Sequence, residues 1–112
     1  MTDCIFCRIV EGEIPSKKVY EDERIYAFED ISPKAPTHVL VVPRKHIATL
    51  AEVTSGDEAL LGALAARAAA IAKDRGLSDF RLVANNGEGA GQSVFHLHFH
   101  LLGGRSMSWP PG

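Results

Sequence analysis

The alternation of apolar and polar positions predicts mostly strands in the first half of the chain. A short apolar segment at residues 4–10 predicts one or two helical turns, and residues 18–21 and 24–29 predict the two strands of a hairpin. Residues 31–36 contain two prolines, which cannot donate ladder hydrogen bonds, so they predict a turn. The β-branched run THVLVVP at Thr37–Pro43 predicts a strand near the centre of a sheet.

A single long helix is predicted in the middle of the chain. Leucine, isoleucine and alanine recur there at three- and four-residue spacing from Leu60 to Ala72. Ser55 and Glu58 fit a capping box in front of the helix, and Gly76 is expected to end it. The many alanines favour close packing against a sheet or a second helix.

The second half of the chain predicts two further strands around a glycine-rich loop. The first strand starts at Phe80, the loop NGEGAGQ spans residues 86–92, and the second strand starts at Ser93. Most connections between strands are too short for parallel crossovers. We therefore predict an antiparallel α+β fold of about five strands, with one long and one short N-terminal helix, in a single domain over residues 1–112.

The run HLHFHLL at residues 96–102 carries the clearest chemical signal. Successive side chains of a strand point to opposite faces, so His96, His98 and His100 would share one face. The intervening large apolar residues would pack into the core: Phe95, Leu97, Phe99 and Leu101.

Imidazole suggests two roles for this face. Two neighbouring histidines could converge on one metal ion, whereas three along a strand span about 13 Å and could reach one zinc ion only with difficulty. At least one ring is therefore expected to act as a nucleophile or as a general acid or base.

Composition excludes several classes of protein. The net charge of −2 argues against a nucleic-acid-binding protein, which would present a basic face. No apolar stretch approaches the length of a membrane span, and the N-terminus does not resemble a signal peptide. We therefore expect a cytoplasmic protein with no nucleic-acid or membrane partner.

Cys4 and Cys7 form a C-x-x-C pair whose meaning the spacing leaves open. Two buried thiols are one interpretation. The other is a structural zinc site, which needs two more ligands. His46 and His96 are the candidates, because that choice leaves His98 and His100 available for chemistry.

Two further features also have alternative interpretations. Gly87, Gly89 and Gly91 lead into a strand instead of a helix, so the loop is either a plain turn or a phosphate-binding loop beside the histidines. The tail GGRSMSWPPG holds Trp109, a side chain that is costly to leave in water. The tail either folds onto its own subunit or reaches a neighbouring one.

The chain resembles the histidine triad (HIT) superfamily and its Hint branch, the histidine triad nucleotide-binding proteins. The run His-φ-His-φ-His-φ-φ is the superfamily signature. The similar segments extend from Asp3 to Gly112: IFCRIVEGEIPSKKVYED, AFEDISPKAPTHVLVVPRKHI, NNGEGAGQSVFH and LLGGRSMSWPPG.

The resemblance implies a homodimer that binds purine nucleoside monophosphates and hydrolyses phosphoramidates. His98 would be the nucleophile, His100 would hold the phosphate, and Ser93 would lie at the phosphate and leaving group. For the mechanism we expect Ser93 or a water to relay a proton to the leaving amine. The nucleotide would contact Phe28, Asp30, Ile31, Asn85, Gly91, Gln92, Ser93, His98, His100 and Trp109, the last of these from the partner subunit. Similarity to bacterial members with zinc implies that Cys4, Cys7, His46 and His96 bind a structural zinc ion and that catalysis needs no metal.

Alternative functions remain open from the sequence. The same histidines suit cleavage of dinucleoside polyphosphates, or nucleotide binding in a regulatory module that has lost catalysis. Asp30 is either a ribose ligand or a turn residue, and His38 either contacts the triad or only ends a strand.

Overall fold

The structure, a computed structural model, describes residues 3–112 as five strands and two helices. The helices are α1 (Ile5–Val10) and α2 (Glu58–Asp74). The strands are β1 (Lys18–Glu21), β2 (Ile25–Glu29), β3 (Thr37–Pro43), β4 (Phe80–Val83) and β5 (Phe99–Gly103). Short 3₁₀ turns lie at Leu50–Glu52, Ser55–Asp57 and Glu88–Ala90. The predicted α+β class, the two helices and the central position of β3 are confirmed.

The five strands form one antiparallel sheet in the order β1-β2-β3-β5-β4. All of β3 is buried, because it is paired on both sides and covered on both faces. Its neighbour β5 pairs with β3 on one side and with β4 on the other. The histidine segment therefore leads into the interior of the sheet.

Alternate residues of the central strands fill two separate cores. The larger core lies between the sheet and α2. Its sheet residues include Ile25, Ala27, Val39, Val41 and Leu101, and Leu97 joins them from the segment before β5. The smaller core lies on the other face, where α1 packs, and consists of Phe6, Ile9, Tyr26, Phe28, Leu40 and Val42. The period of two in β2 and β3 thus determines which side chains meet each helix.

Three local predictions are wrong. The strand expected from Ser93 begins at Phe99, because the Leu97 N–H donates to the Ile47 carbonyl (2.6 Å) and this takes the preceding segment out of the β4 ladder. Phe95, expected in the core, is 45% exposed for the same reason. The capping box uses Thr54 and Asp57 in place of Ser55 and Glu58, because a 3₁₀ turn precedes α2.

Candidate functional site

The three histidines of the motif share the face of the sheet that carries α1. Only His100 lies within β5, paired with Leu40 of β3 and with Val83 of β4. His96 and His98 come from the irregular segment before the strand, and both are buried. The ring of Phe6 in α1 contacts both edge to face, with ring centroids 6.0 and 5.0 Å away. The predicted common face is therefore present although the strand is shorter than expected.

A backbone carbonyl fixes the proton position on His98. Nδ1 of His98 lies 2.7 Å from the carbonyl oxygen of His96. Because a carbonyl only accepts hydrogen bonds, Nδ1 must carry the hydrogen and donate it. In the neutral ring the lone pair is then on Nε2, the nitrogen available for nucleophilic attack.

Burial keeps these rings neutral. Burial lowers the pKa of His98, an effect that the His96 carbonyl and the charge of Asp30 partly oppose. Burial also lowers the pKa of His100, to about 4, with His98 and His38 adding to the effect. Neutral imidazoles are the form that attacks phosphorus or accepts a proton.

A second histidine pair extends the site into β3. The Lys34 N–H donates to Nδ1 of His38 (3.0 Å), so neutral His38 carries its hydrogen on Nε2. That Nε2 lies 2.9 Å from Nδ1 of His100 and 3.4 Å from Oδ2 of Asp30. His38 therefore donates to His100, and His100 in turn presents an Nε2–H donor. We call Asp30, His38 and His100 the relay.

His38 was expected either to contact the triad or only to end a strand. Its contact with His100 shows that it contacts the triad. Burial lowers the pKa of His38, which the charge of Asp30 partly opposes, so the neutral relay is favoured. One possible ligand atom from each member of the relay lies within 4.8 Å of the other two, which is close enough to bind a metal ion. Their hydrogen bonds to one another and to Lys34 account for this proximity without a metal ion.

Cys4, Cys7, His46 and His96 converge at the start of α1, and we call them the metal cluster. Nδ1 of His96 lies 3.3 Å from Sγ of Cys4 and 3.5 Å from Sγ of Cys7. Nδ1 of His46 lies 3.3 Å from Sγ of Cys7 and 3.2 Å from Nδ1 of His96. The main-chain N–H of Cys7 also donates to Sγ of Cys4 (3.4 Å).

The chemistry of these four donors fits zinc. Nε2 of His96 lies 2.7 Å from the Pro43 carbonyl, so it carries the hydrogen and Nδ1 presents a lone pair to the cluster. With zinc bonds of about 2.0–2.3 Å, tetrahedral ligands lie roughly 3.3–3.8 Å apart, which matches the observed distances. Burial lowers the pKa of His96, which also favours the ligating form.

A cavity of about 720 Å³ lies beside the relay and collects three of the predicted nucleotide contacts. Phe28, Asp30 and Ile31 line it, together with residues of α1 and of the loop after α1. Phe28 is buried in its wall, whereas Ile31 is 98% exposed at its mouth. Oδ1 of Asp30 accepts the Ser32 N–H (2.7 Å), which is the turn role, while Oδ2 faces His38.

A second cavity, of about 540 Å³, lies beside His100 and contains Asn85 and Ser93. Gly91 has a φ of +95°, which favours glycine there, and its Cα faces the Asn85 side chain. Gln92 is buried, and its side chain accepts from Gly87 and donates to the carbonyls of Ala48 and Val94. Gln92 thus shapes the loop, and its predicted contact with the nucleotide stays a prediction.

Trp109 is not brought to the histidines of its own chain. It is 82% exposed and lies near Arg81, whose Cζ is 6.0 Å from the ring centroid. The predicted contact of Trp109 with a partner subunit therefore stays a prediction.

Phe6 is the site residue that the sequence interpretation missed. It contacts the rings of His96, His98 and Phe28, and so packs between the histidine segment and Phe28, which lines the larger cavity. Its place between the two cysteines of C-x-x-C was the available signal.

The family described as HIT domain matches residues 11–107. An uncharacterized HIT-like protein of Synechocystis sp. is 53% identical over 111 residues, covering 98% of this chain and 97% of that protein. The 14 kDa zinc-binding protein of Zea mays is 49% identical, covering 96% of this chain and 87% of that protein. A HIT family hydrolase from Legionella pneumophila shares the fold with a TM-score of 0.96 and 53% identity, over 98% of this chain and all of that one. Among residues 3–112, no helix has the length and apolar character that a membrane crossing requires.

Proposed function

Because the chain belongs to the HIT domain family, we propose that it is a purine-nucleotide-binding hydrolase that cleaves the P–N bond of nucleoside 5′-phosphoramidates. One observation carries the proposal: Nδ1 of buried His98 is held by the His96 carbonyl, which leaves the Nε2 lone pair for phosphorus. A structurally similar protein described as a HIT family hydrolase supports the reaction class.

The reaction has two steps at the α-phosphorus. Nε2 of His98 forms a bond to phosphorus while the P–N bond to the amine breaks, and Ser93 or a water passes a proton to the amine. Water then attacks the nucleotidyl-histidine and returns a proton to the group that gave one up. The nucleoside monophosphate leaves, and Nε2 regains its lone pair. The imidazolium formed in between is stabilised by the His96 carbonyl at 2.7 Å.

The other histidines stabilise charge on the phosphoryl group. His100, supplied with a hydrogen bond by His38, directs its Nε2–H toward a non-bridging phosphoryl oxygen. Main-chain amides around Gly91 and Ser93 would add donors from the loop. Asp30 and Ile31 would contact the ribose and the base, and Phe28 would wall the base cavity.

The metal cluster would hold zinc through Cys4, Cys7, His46 and His96, and would serve stability. Zinc there supplies a rigid cross-link between α1, the loop after β3 and the histidine segment. The similarity to a zinc-binding protein of Zea mays supports this assignment. We further propose a cytoplasmic homodimer in which exposed Trp109 reaches the partner's site.

The test is capture of the covalent intermediate. We expect adenosine 5′-phosphoramidate, quenched during turnover, to leave one nucleoside monophosphate on the intact protein by mass spectrometry. The adduct should be absent in His98→Ala. Normal turnover by that variant would overturn the assignment, and binding of AMP without any turnover would favour a regulatory module. Faster cleavage of a dinucleoside polyphosphate than of the phosphoramidate would favour the other hydrolase.

A further inference from the structure

The cavity beside His100 has an excess of positive charge. Besides Asn85, Ser93 and His100 it is lined by Lys34, Arg81 and Arg105. Asp30 is its one acidic lining residue. At neutral pH the charged side chains around this volume sum to a positive value, although the whole chain carries −2. We call this volume the basic cavity.

Strand register places Arg81 next to the triad. Val83 of β4 is paired with His100 of β5, and Arg81 is paired with Leu102. Alternate residues of a strand and directly paired residues of neighbouring strands share one face of a sheet. Arg81 therefore faces the same side as His100, displaced along the strands by two residues, or about 6.6 Å. Leu102 follows His100 in the direction away from His98, so Arg81 lies on the far side of His100. A half-buried arginine there can reach a leaving group that extends past a phosphate held by His100.

Hydrogen bonds hold the two guanidinium groups without neutralising them. Nη2 of Arg81 donates to the Ser108 carbonyl (2.9 Å). Nε of Arg105 donates to the Lys34 carbonyl and its Nη1 to the Ser106 carbonyl, both at 2.9 Å. Within residues 3–112 the ion pairs involve other cations, so Arg81, Arg105 and Lys34 keep their full charge at this cavity. Positive groups positioned in this way are suited to a carboxylate.

The two cavities suit the two groups attached to the phosphate of the substrate, the nucleoside and the leaving amine. Asp30 and His38 line both cavities, so they stand on the boundary between them. The more apolar cavity, with Phe28 and Ile31, suits the nucleoside. A phosphate held at His98 and His100 would then direct its leaving amine into the basic cavity.

We propose that the preferred leaving amine carries a carboxylate, as in the nucleoside phosphoramidate of an amino acid, and that Arg81, Arg105 and Lys34 determine this specificity. The inference rests on the proposed P–N hydrolase activity and adds the chemical class of its leaving group. Neutral or cationic amines gain nothing from these three charges.

The experiment compares two substrates that differ only in that group. Adenosine phosphoramidates of 4-aminobutyrate and of 4-aminobutyramide have amines of similar size, and the carboxylate is present in only one. The ratio of their kcat/KM values is measured in the wild type and in each variant, so differences in amine basicity cancel. We expect Arg81→Gln to lower the acid-to-amide ratio about tenfold, the cost of a hydrogen bond to a charged group.

The variants separate charge from structure. Arg81→Lys keeps the charge and should retain part of the preference even if the Ser108 contact is lost, and Arg105→Gln and Lys34→Gln should each lower the ratio less than Arg81→Gln. Arg67→Gln is the matched control, because Arg67 stacks on Tyr20 with Cζ 3.8 Å from the ring and lies away from the cavity. Added salt should reduce the wild-type ratio toward that of Arg81→Gln.

The outcomes distinguish the two proposals. Cleavage of both substrates with a ratio that none of the cavity variants changes would overturn this inference and leave the hydrolase function intact. An equal loss in Arg67→Gln would also overturn it. Cleavage of neither substrate, with no adduct on His98, would overturn the hydrolase function and this inference together.

Discussion

The metal cluster and the relay use histidines in opposite ways, although His96 and His100 are only four residues apart. In the metal cluster Nδ1 of His46 and Nδ1 of His96 lie 3.2 Å apart, with the two cysteine sulfur atoms beside them. In the relay each contact joins a donor to an acceptor, from Lys34 through His38 to His100. A bound cation would draw the four ligand atoms of the metal cluster together, whereas hydrogen bonds already join the members of the relay.

The comparison shows that the role open to a histidine depends on which of its two ring nitrogens donates a hydrogen bond, because the other nitrogen then carries the lone pair. His96 gives its Nε2–H to Pro43 and turns Nδ1 to the metal cluster. His98 donates its Nδ1–H to the His96 carbonyl, which leaves the Nε2 lone pair for the proposed attack on phosphorus. Opposite tautomers of His96 and His98 thus suit the two proposed roles, a metal ligand and a nucleophile.

The strongest test of this division is His98→Ala. We expect kcat to fall by about 10⁴-fold or more, because the group that bonds to phosphorus is removed. The metal content should be unchanged, because His98 is not among the cluster's donors. Steady-state kinetics and elemental analysis of one preparation measure both quantities. Loss of zinc in this variant would show that the two regions are not separate.

Removing the metal tests the other side of the comparison. We expect Cys7→Ala, or chelation, to lower the free energy of unfolding by about 4 kcal/mol where free zinc exceeds its Kd a thousandfold. The reason is that a bound ion stabilises only the folded state. Urea unfolding with and without zinc measures the effect, and His98→Ala is the control that should keep the zinc response. An equal midpoint for wild type with and without zinc would contradict a structural metal.

A smaller effect is expected from His38→Leu, which removes the donor of the relay without touching the metal cluster. His100 would lose the hydrogen bond that fixes its tautomer, so kcat should fall on the order of 10–100-fold with little change in KM. The variant should also change the acid limb of the pH profile, a readout that a purely structural loss would not move. Unchanged kcat would mean that the contact at 2.9 Å has no catalytic role.

The smallest expected effect is the pH dependence of activity and of the free energy of unfolding. Because burial lowers the pKa of His98 and brings that of His100 to about 4, both rings stay neutral below the ordinary histidine value of about 6.5. Activity should therefore persist as pH falls through 6.5 and decline only toward the lowered values. The free energy of unfolding should rise with pH between about 4 and 6.5, since the unfolded chain binds more protons there. A kcat profile with its acid limb at 6.5 or above would contradict the neutral relay.

Much of the fold was predictable because local patterns and tertiary packing agree. The uniform apolar run of β3 matches a strand covered on both faces, and the spacing in α2 matches a helix on one face of the sheet. The start of β5 was not predictable, because the alternation HLHFH is equally satisfied by a strand and by the irregular segment that pairs with Ile47. The capping box moved by one residue because Thr54 and Ser55 are both good caps.

The candidate site divides in the same way. Spacing alone suggested a common face for His96, His98 and His100, and the face exists. Cys4 and His96 are 92 residues apart, so no local spacing links them; the need for four zinc ligands and the resemblance to a family both pointed to that pairing. The tautomers depend on carbonyl positions, which no residue pattern reports.

The carbonyl groups that orient these histidines limit which missense mutations can damage the site. The acceptors that orient His96 and His98 belong to the main chain at Pro43 and His96. No codon change can delete a peptide oxygen, so a missense mutation disturbs either acceptor only by displacing the chain that bears it. Random mutagenesis should therefore find damaging changes at the imidazole side chains and at Phe6, which packs against the rings of His96 and His98. No substitution can remove the carbonyl groups that accept their hydrogen bonds.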